Sequence, residues 1–444
     1  MESQLSKKKL WRSWSMYDWA NSAYNLVITS TIFPFYYVAI TSDETTDRVS
    51  FFGWEVINTA LLNYALAFAY LCAAILIPIL SSVADYTGNK LRFMKLFCYT
   101  GAIGCCLLFF FDRGQIEFGI IMTIIAAIGW CGSLVFYNAY LPEIATETER
   151  DKLSAQGYGY GYVGSVLLQL ICLVFVKFIF PEGTFAARLS FLLVGVWWLV
   201  FAQIPFRHLP IGTPLRKDRQ HTILSDGFIE LKKVWVQIKL MPKLKAFLTA
   251  FFFYSIGVQT VMLASGLFVM KVITKEVDGK KIPLDAGDLI ITVLIIQLVA
   301  ILGAALMARL SNRIGNIRVL ILTVTLWIGI CISAYYIHTQ YDFYIIATVI
   351  GFVMGGVQSM SRSTYSKIMP PTRDTASFFS FYDVTEKVSM AIGLFTFAFM
   401  EDLTGNMRNS IFALAGFFFI GLVFLAIVDR MQKKDRFSGT PVLS

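Results

Sequence analysis

The chain has 444 residues, of which 57% are hydrophobic and only 15% are charged. Soluble domains carry roughly a quarter charged residues, so this composition argues against a soluble enzyme and against a nucleic-acid-binding protein. The net charge of +9 is better explained by Lys and Arg in the cytoplasmic loops of a membrane protein with many spans.

Twelve apolar runs are long enough to cross a bilayer, which takes about 20 residues. They form two groups of six with a polar segment between them, and they lie at 17–41, 59–80, 93–111, 118–138, 157–180, 187–206, 246–273, 288–308, 317–337, 343–361, 376–400 and 409–428. We predict an all-α membrane protein with twelve transmembrane helices in two six-helix bundles. The bundles are residues 1–206 and 246–430.

The polar segment 207–245 is predicted to be a cytoplasmic linker, followed after the second bundle by a cytoplasmic tail at 431–444. An amphipathic helix around 227–239 is expected to lie on the inner leaflet. With the N-terminus inside, 28 Lys and Arg fall in inner segments and 9 in outer ones. Because Lys and Arg accumulate in cytoplasmic loops, we predict that both termini are cytoplasmic.

The two groups of spans also resemble each other in sequence. The segment 81–90 follows the second span, and a similar segment, 308–315, follows the eighth. Arg150-Asp151 precedes the fifth span as Arg373-Asp374 precedes the eleventh. Parallel repeats of six spans are one of the architectures of secondary transporters.

The segment 81–90 resembles the loop motif between helices two and three of the major facilitator superfamily. Asp85, Gly88 and Lys90 match that motif. We expect the Asp85 carboxylate to face the N-terminus of another helix, plausibly the eleventh, where the helix dipole favours negative charge. Such a contact would close the cytoplasmic side as a gate. In the second half Asn312 stands where the Asp would be, so the corresponding contact is expected to be weaker.

A narrower resemblance lies in the first, tenth and eleventh spans. Residues 14–24 (WSMYDWANSAY), 355–363 (GGVQSMSRS) and 378–382 (FFSFY), the last followed by Lys387, are similar to the autophagy-type vacuolar effluxers within that superfamily. The resemblance implies the major facilitator fold and, from the fungal members, amino acids as the substrate class.

Polar residues of the first span share one helical face. Asp18, Asn21, Tyr24 and Asn25 follow the spacing i, i+3, i+6, i+7. In the superfamily the first helix lines the central cavity, so this face is expected to contact substrate. Asp18 has two readings: it contributes to substrate or proton binding, or it is a gate or helix-start carboxylate.

The eleventh span carries Asp383, Glu386 and Lys387. A charge at the bilayer centre costs about 2.5–3.5 kcal/mol on insertion scales, so each must face a cavity or a partner. Asp383 and Lys387 are four residues apart and can pair along the helix. Glu386 would then be left to take a proton or a cation, and Lys387 could instead pair with a substrate carboxylate.

Other polar candidates lie in the seventh and tenth spans. Tyr254 and Gln259 are expected near the cavity, whereas Gln358 and Arg362 lie near the cytoplasmic end and are expected to build the inner gate. Gly157, Gly161 and Gly164 in the fifth span permit close helix approach, most plausibly to a helix of the other half.

We therefore predict a secondary active transporter that moves a small polar solute, amino acids first, by alternating access of the two bundles with probable coupling to protons. The alternatives are an exporter of hydrophobic or drug-like compounds and a non-transporting sensor or scaffold. The sequence contains no P-loop and no metalloprotease or hydrolase motif, so we predict no enzyme, cofactor or metal. The expected setting is a monomer in a bacterial inner membrane, without nucleic-acid partners.

The predicted roles divide the candidate residues into three groups. Substrate contacts are assigned to Asn21, Tyr24, Asn25, Tyr254, Gln259 and Lys387. Proton coupling is assigned first to Glu386, then to Asp18 and Asp383. Gating is assigned to Asp85, Gly88, Lys90, Arg362 and Gln358.

Overall fold

The structure is a computed structural model. It describes residues 2–42, 48–180, 182–211, 223–272, 274–277, 280–283, 286–337, 339–404 and 407–437. Parts of the predicted linker, at 212–222, and of the predicted tail, at 438–444, lie outside the described residues.

Helices dominate the first six predicted spans. They are α1 (Glu2–Ala23), which continues as a π-helical segment (Tyr24–Ser30), α2 (Ile32–Thr41), α3 (Asn58–Thr87), α4 (Lys90–Leu107), α5 (Ile116–Ala139), the short α6 (Leu141–Ile144), α7 (Arg150–Val174), which ends in a second π-helical segment (Phe175–Ile179), and α8 (Phe185–His208). The first span is thus longer than predicted, because its helix already begins at Glu2.

The remaining helices follow in the same order of spans. They are α9 (Ile223–Leu240) in the predicted linker, α10 (Pro242–Val272), α11 (Ala286–Ile314), α12 (Asn316–Tyr336), α13 (Gln340–Ile368), α14 (Thr375–Thr404) and α15 (Met407–Phe437). Apart from a few residues at their ends, the described parts of the predicted apolar runs lie on these helices and their π-helical segments, or on the first span formed by α1, its π-helical segment and α2.

Eleven helical stretches of the described residues are long and apolar enough to cross a membrane. The predicted eleventh span, α14, is 30 residues long but is not one of them. It carries three charged residues, Asp383, Glu386 and Lys387, within five positions. The helix is therefore present where it was predicted, and its polarity is the feature that distinguishes it.

Two short β-hairpins, which the sequence analysis did not predict, occupy matching places in the repeat. Strands β1 (Arg48–Phe51) and β2 (Trp54–Ile57) join the first and second spans, and β3 (Thr274–Val277) and β4 (Lys280–Pro283) join the seventh and eighth. Both pairs are antiparallel. In the first hairpin Phe52 and Gly53 have φ of 48° and 84°, as a two-residue type I′ turn requires.

Both loops that carry the repeated motif contain a glycine with positive φ. Gly88 follows α3 with φ 68° and terminates that helix in the left-handed conformation. Gly315, between α11 and α12, has φ 87°. A side chain with a Cβ rarely adopts this backbone, so glycine is needed at both reversals.

The chain divides into two compact units that differ from the predicted halves at two segments. The first unit comprises Met1–Tyr140, Tyr160–Leu231 and Arg373–Ser380, and the second comprises Leu141–Gly159, Lys232–Thr372 and Phe381–Ser444. The start of α7 thus belongs to the second unit, and the start of α14 belongs to the first.

Within the first unit, α7 packs closely on α1. A Cβ at Gly164 would lie 2.6 Å from the carbonyl oxygen of Trp19, and Gly161 lies against Ser22. Gly161 and Gly164 therefore permit close approach to a helix of the same half, and the prediction of a helix of the other half is wrong for these two positions. In the second unit α11 and α13 make a similar contact, since a Cβ at Gly351 would lie 2.5 Å from the carbonyl oxygen of Ile296.

Candidate functional site

A cluster of charged and amide side chains joins α10 and α14 in the second unit; we call it the carboxylate–lysine cluster. Lys387 Nζ lies 3.5 Å from Asp383 Oδ1 and 3.2 Å from Glu386 Oε2. Gln259 Nε2 of α10 donates a hydrogen bond of 2.9 Å to Glu386 Oε1. Asp383 and Lys387 are buried, whereas the Glu386 side chain is 24% exposed. The cluster thus unites four residues for which the sequence predicted substrate or coupling roles.

The cluster holds two carboxylates against one ammonium group, so its formal charge is −1 when all three groups are ionised. Asp383 Oδ2 is buried and has no hydrogen-bond partner within the described residues. A buried negative charge that is only partly compensated is costly, and one proton or one monovalent cation would neutralise it. Within the described residues there is no group of three or more His, Cys, Asp or Glu that could hold a metal ion.

Gln358 lies next to the helix that supplies Gln259. Its Nε2 is 3.5 Å from Met262 Sδ, and the side chain is partly exposed. Met262 follows Gln259 by three residues on α10, so Gln358 contacts the face of α10 that also carries Gln259. This contact favours a place for Gln358 beside the carboxylate–lysine cluster, although its predicted role was gating.

Tyr254, which was predicted near the cavity, is a buried residue of the second unit. Its hydroxyl forms a 2.7 Å hydrogen bond with Ser361 Oγ of α13. Its ring packs edge-on against Phe251, and Gly421 of α15 lies against its backbone. Since these contacts occupy the hydroxyl and the ring, the structure gives Tyr254 a packing environment.

Asp18 is tied to α5 in the first unit. Tyr137 donates a 2.7 Å hydrogen bond to Asp18 Oδ2, and Trp14 donates one of 3.0 Å to the Tyr137 carbonyl oxygen. The Trp14 and Tyr137 rings stack with their centroids 4.3 Å apart. The carboxylate is therefore part of a buried aromatic junction. Because α1 begins at Glu2, Asp18 lies well inside the helix, and the prediction of a helix-start carboxylate is wrong; a gate role stays a prediction.

The other residues of the predicted polar face of the first span differ in burial. Asn21 is buried and donates to the Tyr17 carbonyl oxygen one turn earlier, at 2.8 Å. Tyr24 is buried between Trp130 and Trp198, with centroids 5.7 and 6.1 Å away. Among these three residues only Asn25 is partly exposed, and its predicted contact with substrate stays a prediction.

The sequence analysis missed Gln169 of α7, which meets the end of the π-helical segment. Thr31 Oγ1 lies 2.7 Å from the Leu26 carbonyl oxygen and 3.0 Å from Gln169 Oε1. A hydroxyl has one proton and amide orientation is an assignment. In either orientation one amide atom of Gln169 stays buried without a partner in the described structure, because the side chain is 1% exposed. A lone Gln in the middle of an apolar run was the available signal.

The Asp85 carboxylate binds the first turn of α14 within the first unit. Asp85 Oδ2 accepts hydrogen bonds from Ser377 N at 2.7 Å and Ser377 Oγ at 2.9 Å, and Oδ1 accepts one from Ala376 N at 3.3 Å. Lys90 Nζ lies 3.7 Å from Asp85 Oδ1 and donates to Thr375 Oγ1 at 2.7 Å. This Asp85 contact is the one that the loop motif predicts, and its function as a gate stays a prediction.

A second contact, in which the hydrogen-bond donors and the acceptor have exchanged places, binds the start of α7 within the second unit. Here the carboxylate belongs to the helix: Asp151 Oδ2 accepts from Ser311 Oγ at 2.6 Å and Lys367 Nζ at 2.7 Å, and Oδ1 accepts from Asn316 Nδ2 at 2.6 Å. Asn312 is exposed. The expectation of a weak contact centred on Asn312 is therefore wrong, because Ser311 and Asn316 donate to a carboxylate supplied by α7.

Arg362 extends this Asp151 contact along α7. Its Nε and Nη2 donate to Ser154 Oγ at 3.0 Å and to the Ser154 carbonyl oxygen at 2.8 Å. The guanidinium lies over the Tyr158 ring at 4.1 Å. The buried cation is thus held by α7, and its gating role stays a prediction.

A family model described as "Vacuole effluxer Atg22 like" matches residues 6–437 of the chain. The chain belongs to this Atg22-like family. A relative, the MFS-type transporter YxiO of Bacillus subtilis, is 29% identical over 428 residues that cover 95% of both proteins. Autophagy-related protein 22 of Botryotinia fuckeliana is 24% identical over 466 residues, covering 86% of this chain and 76% of the relative.

Solved structures share the fold of this Atg22-like protein. The major facilitator transporter FucP in its outward conformation has a TM-score of 0.69 at 14% identity, covering 95% of this chain and 99% of that one. The human organic anion transporter MFSD10 has a TM-score of 0.67 at 12% identity, covering 96% and 100%. The protein is a multi-pass membrane transporter with the major facilitator fold and not an enzyme, as the sequence predicts.

Proposed function

We propose that this Atg22-like protein moves amino acids or closely related zwitterions by alternating access, coupled to protons at the carboxylate–lysine cluster. The observation that carries the proposal is the single ammonium of Lys387 between two carboxylates, 3.5 and 3.2 Å away. Charged groups inside a membrane helix are costly and typically functional. The predicted resemblance to amino-acid effluxers supports the same substrate class.

Glu386 is the residue that we assign to the proton. It is the most exposed of the three charged groups, and Gln259 holds its other carboxylate oxygen. Protonation of Glu386 removes one of the two negative partners of Lys387. The ammonium can then pair with the carboxylate of a solute, and the total charge of cluster and solute carboxylate returns to −1. Proton and solute binding therefore reinforce each other, which is the basis of coupling.

Asp383 and Asn25 have supporting roles in this proposal. Asp383 keeps Lys387 ionised and oriented while Glu386 changes its protonation state, since its Oδ1 faces the same ammonium. Asn25, which is partly exposed, is kept in this proposal as a polar solute contact of the first unit. Gln169, with a buried amide atom that lacks a partner, is added as a second polar contact near the π-helical segment.

The Asp85 and Asp151 contacts are proposed as gates. Each fastens the first turn of one helix, α14 or α7, through a buried carboxylate. Alternating access requires that helices at a closed end separate, so these hydrogen bonds have to break and re-form in each cycle. We place the protein as a monomer in a bacterial inner membrane with both termini in the cytoplasm, following the distribution of Lys and Arg.

The test is uptake of individual labelled amino acids into proteoliposomes, with and without an imposed pH gradient. Glu386→Gln is expected to abolish accumulation driven by the gradient while retaining exchange of solute across the membrane, because the neutral amide mimics the protonated carboxyl group. Glu182→Gln, at an exposed site outside the cluster, is the matched control and should behave as wild type.

Two results would contradict this proposal separately. Full gradient-driven accumulation by Glu386→Gln would remove the coupling role from Glu386. No uptake of any amino acid by folded wild-type protein would reject the substrate class, and an untargeted metabolite screen would follow.

A further inference from the structure

Helix α9 runs directly into a membrane span. It ends at Leu240, and after Met241 the next helix begins at Pro242 and is apolar enough to cross the membrane over Pro242–Met262. The last turns of α9 are thus within a few ångströms of chain from the hydrocarbon region, since a helix rises only about 1.5 Å per residue. The end of α9 therefore lies next to the start of a candidate membrane span.

One face of α9 packs against the protein. Val234 and Ile238, one turn apart, are buried. The Trp235 ring stacks on Phe381 of α14 with the centroids 5.5 Å apart. These contacts fix how the helix is rotated about its own axis.

The opposite face of α9 is apolar and exposed. Ile229, Val236 and Leu240 are 45%, 45% and 75% exposed. At about 100° per residue their side chains fall within about 40° of one another, on the side roughly opposite Val234 and Ile238. A helix that faced water would carry polar residues there, so this stripe of three residues needs an apolar partner.

Lysines flank the exposed stripe on both sides. Lys232 and Lys239 lie along one edge and Lys233 along the other, and residues 231–245 contain five Lys and no acidic residue. Lys239 Nζ also lies 5.0 Å from the centre of the half-exposed Trp235 ring. An apolar stripe bordered by lysines and Trp is typical of a helix that lies in the interface of an anionic membrane.

We propose that α9 is a binding surface for anionic phospholipids. The stripe of Ile229, Val236 and Leu240 inserts at the boundary between headgroups and acyl chains, and the flanking lysines contact lipid phosphates. Because α9 continues into α10, which carries Gln259, lipid binding holds the start of that span at a fixed depth. This surface is separate from the carboxylate–lysine cluster and does not depend on the identity of the transported solute.

The test measures lipid affinity of the full-length protein by native mass spectrometry, titrating phosphatidylglycerol against phosphatidylcholine. The double variant Lys232→Gln/Lys239→Gln is expected to bind phosphatidylglycerol about 25-fold more weakly, at about fivefold per lysine removed, with phosphatidylcholine binding unchanged. The control Arg113→Gln/Lys177→Gln removes two exposed cations at the opposite ends of the spans and should retain wild-type affinity.

Hydrogen exchange of residues 229–240 in nanodiscs gives the second readout. We expect stronger protection with phosphatidylglycerol than with phosphatidylcholine alone, and a loss of that difference in the double variant. Equal phosphatidylglycerol affinity in wild type and double variant would overturn the proposal. So would a Leu240→Ser variant that loses self-association while its lipid affinity is unchanged, because a second copy of the chain would then cover the stripe.

Discussion

Replacing Asp151 by Asn is the perturbation that probes the Asp151 contact most directly. The wild-type carboxylate accepts three hydrogen bonds of 2.6–2.7 Å, one of them from the Lys367 ammonium. An Asn side chain keeps one oxygen but turns an NH2 group towards either Asn316 or the pair Ser311 and Lys367. At least one bond is lost, the bonds from Ser311 and Asn316 no longer have a charged acceptor, and a bond from Lys367 keeps only the charge of its ammonium donor.

The magnitude follows from these losses. A hydrogen bond to a charged group contributes about 1.5–3 kcal/mol, and breaking a buried ion pair costs about 3–5 kcal/mol. Lys367 is 17% exposed and regains part of its hydration, so the expected weakening is about 2–4 kcal/mol. The equilibrium between the formed and the broken contact should then shift by about 30-fold to 1,000-fold.

Hydrogen exchange of the backbone amides at 151–154 and 311–316 measures this shift. We expect at least tenfold faster exchange at both segments in Asp151→Asn and unchanged exchange at 375–380, where the Asp85 contact is made. Asp374→Asn is the matched control, because Asp374 corresponds to Asp151 in the sequence repeat but directly precedes α14, where the Asp85 contact is made. Exchange at 151–154 that stays within twofold of wild type would refute the reasoning, and so would an equal effect of Asp374→Asn.

Three further variants separate packing from solute contact. Tyr254→Phe removes one buried hydrogen bond to Ser361, so we expect the free energy of unfolding to fall by about 1 kcal/mol while uptake is retained. A large rise in KM would instead indicate that Tyr254 contacts the substrate. Gly164→Val places side-chain atoms against the Trp19 carbonyl oxygen and should lower the free energy of unfolding by about 1–3 kcal/mol, seen as a lower Tm in detergent. Gln169→Leu removes an amide group of which one polar atom has no hydrogen-bond partner within the described residues, so the free energy of unfolding should be unchanged or higher while uptake falls. Unaltered uptake would show that Gln169 only packs in the unit's interior.

The sequence by itself determined the architecture. Hydrophobic runs of bilayer length form helices in a membrane, because every backbone polar group must be bonded within its own helix. Apart from a few residues at their ends, the described residues of the twelve runs are helical. The motif at 81–90 likewise predicted the contact of Asp85 with α14. A carboxylate near Gly88 at the end of one helix can accept hydrogen bonds from the N–H groups at the start of another helix. Charge pairing of Asp383 and Lys387 followed from their spacing alone.

Tertiary structure decided which polar side chains are already satisfied. Asn21, Tyr24 and Asn25 share a face by periodicity, yet that face is wide enough for Tyr24 to enter the unit's interior while Asn25 stays partly exposed. The spacing of residues also could not predict contacts between residues that are far apart in sequence. Gln259 contacts Glu386, 127 positions away, and Asp151 contacts Ser311, 160 positions away. Helix periodicity fixes neighbours within a few residues, whereas these contacts depend on how the helices pack.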